Sequence, residues 1–197
     1  MRPDLDIVAA MIDPGSRVLD LGCGDGALLE TLKQEKDCHV LGIENDPDGF
    51  HECISRGVPV TQGDLETELP EIESDAFDWA VLSLTLQAVR HPDRVLSEMK
   101  RLAPRQIVSL PNFGQWRLRA GLALKGRMPV TPILPYQWYD TPNIHLCTIR
   151  DFEALASEIG LSVERRIVVG SGGKAKAGLS RIAPNLLATG AVYSLLG

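Results

Sequence analysis

The sequence lacks the features of several large protein classes. Across its 197 residues, no apolar run approaches the roughly 20 residues that a membrane-spanning helix needs, so we expect no membrane insertion. The four cysteines form no Cys-x-x-Cys pair, which argues against a zinc cluster or a thioredoxin-like site, and no metal is expected. Three aspartates in the first 14 residues are not typical of a secretory signal peptide. We therefore expect a cytoplasmic protein with reduced thiols.

Basic residues are scarce in the first half of the chain, and acidic residues are scarce in the second. Residues 1–98 contain 21 Asp and Glu against 7 Lys and Arg, whereas residues 99–197 contain 5 against 13. The formal net charge of −6 does not reveal this division. The overall negative charge argues against non-specific nucleic-acid binding, because such binding needs a positive surface that displaces counterions from the phosphates. Such a division often indicates a charged ligand or partner, although differently solvated faces would also produce it.

Short apolar runs alternate with amphipathic ones over the first 110 residues. The predicted strands are Arg17–Leu21, His39–Ile43, Val58–Thr61, Phe77–Ser83 and Gln106–Leu110. Helices are predicted at Ala27–Glu35, from Asp46–Pro47 onward and at Pro92–Leu102, and Asp6–Ile12 is predicted to be the end of a short entry helix. This alternation predicts a parallel sheet with helices on both faces.

The regular alternation of strands and helices ends after the fifth predicted strand. Arg117–Lys125 and Thr148–Gly160 are predicted to be helical, the latter with Thr148 and Asp151 spaced as in a capping box. Leu161–Val169 and Leu186–Leu196 are predicted to be strands joined like a hairpin, with a Gly/Lys loop at Gly170–Gly178. We therefore predict one α/β domain over residues 1–197. Its sheet is doubly wound, mostly parallel and seven-stranded, with residues 111–147 inserted after strand five as a cap or recognition segment.

Three glycines follow the first strand, in the segment Asp20-Leu21-Gly22-Cys23-Gly24-Asp25-Gly26. Glycines at a strand-to-helix turn allow a tight turn and the close approach of a ligand to the backbone. Gly22 and Gly24 with Ala27 also fit a dinucleotide fingerprint, so the loop alone leaves a nicotinamide cofactor possible. Asp20 and Asp25 would repel a pyrophosphate, however, and they suit the sulfonium and ammonium groups of S-adenosylmethionine. The alternative is that both aspartates only cap the helix or stabilise the turn.

Carboxylates also follow the next two strands. Glu44 comes 20 residues after Gly24, where an acidic side chain can accept both ribose hydroxyls of an adenosine-type ligand. Asp64 follows strand three and can accept the adenine amino hydrogen, while the Leu65 N–H reaches a ring nitrogen. An aspartate that only shapes a turn is the alternative. Together, the loops at three successive strand ends predict a site for S-adenosylmethionine or S-adenosylhomocysteine.

Aromatic and basic residues are concentrated after strand five. Five of the ten aromatic residues lie between Phe113 and Tyr139, and residues 105–150 carry a net charge of +5. A cap of this composition could recognise an anionic substrate or a partner, and a structural insertion with solvated arginines is the alternative. The residues expected to make such contacts are Arg117, Arg119, Arg127 and Trp138. The clustered candidates for a catalytic base are His145, Tyr139 and Asp140.

The loop Asp20–Gly26, Glu44 and Gly63-Asp64 resemble the cofactor motifs of class I S-adenosylmethionine-dependent methyltransferases, whose fold is Rossmann-like. That resemblance implies that Gly22 and Gly24 lie against the methionine part of the cofactor. It also implies that three residues after strand four lie near the sulfonium, namely Ser83, Leu84 and Gln87.

A more specific resemblance is to the MetW family of methionine-biosynthesis proteins. It extends from about Asp13 to Ile159 and depends on the blocks PNFGQWRLR, GRMPV and LPYQWYDTPNIH. It implies a role in methionine synthesis and support of a homoserine O-acyltransferase. Methyl transfer to a small anionic acceptor is the alternative, and we favour the accessory role because these blocks carry no obvious catalytic set.

Overall fold

Seven strands form one sheet in the part of the chain that the computed structural model describes, which is residues 2–131, 135–170, 172–175, 178 and 182–197. The strands are β1 (Arg17–Leu21), β2 (His39–Glu44), β3 (Val60–Gln62), β4 (Trp79–Ser83), β5 (Arg105–Pro111), β6 (Ser162–Val169) and β7 (Gly190–Leu196). Their order is β3-β2-β1-β4-β5-β7-β6. Strands β1 to β5 are parallel, and β7 is antiparallel to both β5 and β6. The predicted fold class is confirmed.

Helices cover both faces of the sheet. They are α1 (Pro3–Met11), α2 (Ala27–Lys36), α3 (Pro47–Ser55), α4 (Leu65–Glu68), α5 (Pro92–Leu102), α6 (Trp116–Lys125), α7 (Ile149–Ile159) and α8 (Pro184–Leu187). In β4, Trp79 and Val81 pack with α1 and α2, whereas Ala80 and Leu82 pack with α5 and α7. Successive side chains of a strand point to opposite faces, so a strand buried on both sides is apolar throughout. None of the described helices is long and apolar enough to cross a membrane.

Local capping signals place the helix starts where the sequence predicts them. The Asp46 side chain accepts the Gly49 N–H at 3.0 Å, and Pro47 occupies the first turn of α3. At α7, Thr148 and Asp151 exchange side-chain and backbone hydrogen bonds, which confirms the capping box.

Three predicted strands begin at least two residues too early. The last strand begins at Gly190 rather than at Leu186, because Pro184 in a first helical turn starts α8 over the preceding residues. Strands β3 and β4 begin at Val60 and Trp79, each two residues later than predicted. Parts of two predicted segments lie outside the described residues. These parts are residues 132–134 of the insertion 111–147, and residues 171, 176 and 177 of the loop Gly170–Gly178.

The strand order determines where a ligand can bind. From β1 the chain first builds outward through β2 and β3, and it then returns to place β4 on the other side of β1. At such a switch point, the carboxyl ends of the strands leave a crevice. The glycine loop after β1 and the loop after β4 therefore border the same crevice.

Candidate cofactor site

The glycine loop after β1 adopts a backbone conformation that suits glycine at three positions. Gly22, Gly24 and Gly26 have φ angles of 71°, 57° and 73°, in the left-handed region that other residues rarely enter. Space is a second constraint at Gly22, because an added Cβ would lie 2.6 Å from Thr85 Cγ2 in the loop after β4. Gly22 thus allows the loops that follow β1 and β4 to pack closely.

Glu44 joins the end of β2 to this loop. Its Oε2 accepts the Gly24 N–H at 2.7 Å, and its Oε1 accepts the Asp46 N–H at 2.8 Å. Each carboxylate oxygen has two lone pairs, so one remains on each oxygen for a further donor. Glu44 is therefore held beside the glycine loop with capacity to accept hydroxyl hydrogens.

Asp20 is the buried carboxyl group of the site, with only 3% of its surface exposed. Its Oδ1 has no hydrogen-bond partner among the described residues. The pKa of Asp20 is raised to about 7, chiefly because the group is buried; the positive charge of Arg2 lowers this pKa and the negative charge of Glu44 raises it. A buried acceptor without a donor is costly, so this position favours an ammonium or N–H group from a ligand.

A cavity of about 220 Å³ opens beside Asp20. It is lined by Arg2, Leu5, Asp20, Gly22, Cys23, Gly24, Asp25, Ala27, Leu28 and Ser83. Arg2 Nη2 donates to Ser83 Oγ at 3.0 Å and lies 3.4 Å from Asp4 Oδ2. The cavity therefore presents a carboxylate and a guanidinium together, which suits a zwitterionic amino-acid group.

Sequence reasoning missed Arg2 because no local pattern connects it with the glycine loop. It precedes Pro3 at the start of α1 and lies 81 positions from its partner Ser83. Only the packing of α1 against the sheet brings it to the cavity.

Both carboxylate oxygens of Asp25 have partners among the described residues. Its Oδ2 lies 3.0 Å from Arg56 Nη2, and its Oδ1 accepts the Ala27 N–H at 3.2 Å. Both side chains of the ion pair are partly exposed. Among the described residues, Asp20 Oδ1 therefore lacks a hydrogen-bond partner, whereas both oxygens of Asp25 have one.

Cys23 is the cysteine of the glycine loop and is buried. Its Sγ lies 3.6 Å from Cys53 Sγ, and Cys53 Sγ donates to the Gly24 carbonyl at 3.2 Å. Burial raises the pKa of Cys23 well above the ordinary thiol value, which disfavours a reactive thiolate. The side chain packs under the loop as a small apolar group.

Asp64 and Leu65 lie at the end of β3 and do not line the Asp20 cavity. Asp64 caps α4, since its Oδ1 accepts the Glu66 N–H at 2.9 Å, and Leu65 is buried in the core. Their contacts with adenine remain a prediction.

The loop after β4 borders two cavities. Ser83 lines the Asp20 cavity and hydrogen-bonds Ser109 Oγ at 3.0 Å. Leu84 has a φ of 56°, and its carbonyl accepts Gln87 Nε2 at 2.6 Å. Gln87 lines a second cavity of about 270 Å³, together with His145. The structure thus places Ser83 at the Asp20 cavity and Gln87 at the second cavity, and the expected contacts of these residues and Leu84 near the sulfonium remain a prediction.

The three candidates for a catalytic base do not converge on the Asp20 cavity. A ring nitrogen of His145 lies 3.2 Å from the Arg90 carbonyl. Tyr139 is 72% exposed and packs edge-on against Trp138, and Asp140 is also exposed. A catalytic role for these residues remains a prediction.

The residues predicted to contact a substrate or partner lie on the surface of the inserted segment. Arg117 lies over the ring of Trp116 at 5.4 Å, Arg127 is exposed, and Trp138 is 73% exposed. Arg119 lines a separate basic cavity with Arg150. None of the four lines the Asp20 cavity in the described structure.

Comparisons with known sequences identify a family over nearly the whole chain. The family model described as "Methionine biosynthesis protein MetW" matches residues 2–195. "Bifunctional methionine biosynthesis protein MetXA/MetW" of Rhodopirellula baltica is 32% identical over 85% of the chain. "Trans-aconitate 2-methyltransferase" of Mycobacterium sp. (strain KMS) is 29% identical over 83% of it. The chain spans 28% and 65% of the lengths of these two relatives.

Solved structures share the fold at low sequence identity. An S-adenosylmethionine-dependent methyltransferase from Mesorhizobium loti superposes with a TM-score of 0.72 at 18% identity, covering 99% of this chain and 98% of that one. Magnesium protoporphyrin IX methyltransferase from Synechocystis, with S-adenosylhomocysteine bound, has a TM-score of 0.69 at 18% identity, covering 99% and 82%. The sheet and its flanking helices are therefore those of the methyltransferase fold.

Proposed function

The chain belongs to the MetW family of methionine-biosynthesis proteins, and on this basis we propose that it binds S-adenosylmethionine or S-adenosylhomocysteine and supports a homoserine O-acyltransferase. The observation that carries the cofactor assignment is the buried Asp20 carboxyl group beside Arg2, whose Oδ1 has no hydrogen-bond partner among the described residues. The methionine part of either ligand carries an ammonium and a carboxylate, which complement these two side chains.

The remaining groups of the site fit the other parts of the ligand. The free lone pairs of Glu44 suit ribose hydroxyls, and its bonds to Gly24 and Asp46 hold the carboxylate in place. Asp64 and the Leu65 N–H are proposed to bind the adenine. When bound, S-adenosylmethionine supplies an electrophilic methyl group, and S-adenosylhomocysteine is its demethylated product.

The accessory role is supported by the fused relative and by the contents of the cavity. In the Rhodopirellula baltica protein, the matched region is 28% of a chain that is named for both MetXA and MetW. Fusion holds two modules at high effective concentration, as expected for modules that act together. Neither histidine nor tyrosine is among the described residues that line the Asp20 cavity, so no base of these types is positioned there.

Calorimetry tests the binding proposal directly. We expect the wild type to bind S-adenosylhomocysteine. The Glu44→Ala variant should bind this ligand much more weakly. The absence of measurable heat with the wild type would refute cofactor binding. The supporting role is tested by adding the chain to a purified homoserine O-acyltransferase and measuring acyl transfer, which should increase.

Methyl transfer to a small anionic acceptor is the second candidate function. It is supported by the 29% identity to trans-aconitate 2-methyltransferase over 83% of the chain. Arg117, Arg119 and Arg127 would then bind the anionic groups of the acceptor. Transfer of a labelled methyl group to a compound in a metabolite extract, without an acyltransferase present, would favour this candidate over the accessory role.

A further inference from the structure

Helix α6 covers little of the protein and is itself uncovered. None of its ten residues is buried, and Trp116, Leu122 and Leu124 are all exposed, the last to 86%. An isolated helix of this length is marginal in water, because its stability normally comes from packing an apolar face. An apolar, unpacked helix of this kind is typical of a segment that packs against another molecule.

The chain beyond α6 carries further exposed apolar residues. Among the described residues, 15 large apolar side chains are exposed, and ten of them lie between Trp116 and Leu146. We call these ten the apolar surface; they are Trp116, Leu122, Leu124, Met128, Val130, Tyr136, Trp138, Tyr139, Ile144 and Leu146. Five of them line one groove of about 160 Å³, namely Met128, Tyr136, Trp138, Ile144 and Leu146. Such a concentration indicates an interaction site rather than scattered exposure.

A basic cavity of about 490 Å³ adjoins α6 through Arg119. Arg150 and Arg166 also line it, and Glu153 is the one acidic residue among its described lining. Glu153 is already engaged, because its Oε1 pairs with Arg166 Nη1 at 2.5 Å and accepts the Tyr193 hydroxyl hydrogen at 2.9 Å. The Arg150 guanidinium has no partner among the described residues, so the cavity can accept a carboxylate from outside.

We propose that the apolar surface and this basic cavity together form the docking surface for the homoserine O-acyltransferase. The inference rests on the proposed function, and it adds where the partner binds and what its surface presents. The partner presents an apolar projection to the groove and an acidic side chain to Arg119 and Arg150.

Charge and groove size favour the acyltransferase over two other occupants of the docking surface, namely a second copy of this chain and a small organic ligand. A second copy of this chain would bring another segment with a net charge of +5 against the first across a two-fold axis, which is unfavourable. A groove of about 160 Å³ is smaller than the roughly 300–1,000 Å³ of sites that enclose small organic ligands. An acidic, partly apolar protein surface matches both features.

The test uses exposed positions, where substitutions leave the fold intact. Leu124→Glu alters α6, and its matched control is Ile54→Glu, which changes a 54%-exposed aliphatic residue on α3. Arg150→Glu alters the basic cavity, and its matched control is Arg165→Glu on the exposed part of β6. Affinity for the purified acyltransferase is measured by calorimetry, and S-adenosylhomocysteine binding and light scattering are measured on every variant.

We expect Leu124→Glu and Arg150→Glu each to weaken acyltransferase binding about tenfold or more, while both controls stay within about twofold of the wild type. If the wild type binds the acyltransferase and both test variants bind it equally well, the docking surface is wrong although the proposed function stands. If the wild type does not bind the acyltransferase, the proposed partnership itself fails. A wild-type dimer that Leu124→Glu dissociates, with acyltransferase binding unchanged, would instead assign the surface to a second copy.

Discussion

The Asp20→Asn variant tests whether burial of the Asp20 carboxyl group makes its ionised form unfavourable in the absence of a ligand. In the folded protein the pKa of Asp20 is raised from 3.8 to about 7, chiefly by burial. In the unfolded chain this side chain ionises near its ordinary value. Between about pH 4 and pH 7, the folded state therefore holds a proton that the unfolded state has released, so Asp20 lowers the stability progressively as the pH rises.

The size of the effect follows from the two pKa values. Raising a pKa from 3.8 to about 7 corresponds to about 4 kcal/mol of unfolding free energy, at about 1.36 kcal/mol for each pH unit. About 2.5 kcal/mol of this cost develops between pH 5 and pH 7.5. The Asp20→Asn variant cannot ionise, so its advantage in stability over the wild type should grow by about that amount across this range.

Urea unfolding at several pH values measures this difference, with Asp25→Asn as the matched control from the same loop. Because Asp25 is partly exposed and paired with Arg56, we expect the control to keep the pH dependence of the wild type. Calorimetry on the same proteins should show that Asp20→Asn loses most of its affinity for S-adenosylhomocysteine. A stability difference that is constant with pH would refute the buried-carboxylate argument, and unchanged ligand affinity would refute its role in binding.

Three further predictions concern the same region. Gly22→Ala should lower the free energy of unfolding by about 1–3 kcal/mol in urea and abolish S-adenosylhomocysteine binding. The reasons are that residue 22 has a left-handed backbone conformation and that an added Cβ would clash with Thr85. Retained affinity for the ligand would contradict this. Arg2→Ala should weaken S-adenosylhomocysteine binding about tenfold by calorimetry, and Arg2→Lys should restore only part of the lost affinity. If both variants bind the ligand as tightly as the wild type, Arg2 does not contact it. Finally, S-adenosylhomocysteine should change the affinity for the acyltransferase about fivefold or more, as measured by calorimetry. The physical link is the Gln87 carbonyl, which accepts the Ile144 N–H at 2.8 Å and so joins the loop after β4 to the docking surface. An unchanged affinity would show that the two sites are independent.

Local features of the sequence predicted most of the elements. The start of α5 at Pro92 and the capping box at Thr148 depend on residues within one turn, so they can be recognised without the fold. The same is true of the glycine loop, whose backbone angles require glycine wherever the loop is placed. The strand start predicted at Leu186 was wrong because the apolar pair Leu186-Leu187 fits either a strand or a short helix.

The chemistry of the site depended on tertiary structure. Asp20 and Asp25 are equivalent in the sequence pattern, but in the described part of the chain packing buries Asp20 with no partner for its Oδ1 and places Arg56 beside Asp25. Arg2 reaches the cavity only because α1 folds against the sheet. Sequence spacing thus determined where turns, caps and strand ends occur, since these depend on neighbouring residues. Burial and charge compensation depend on which distant elements pack together, and that was decided only by the three-dimensional fold.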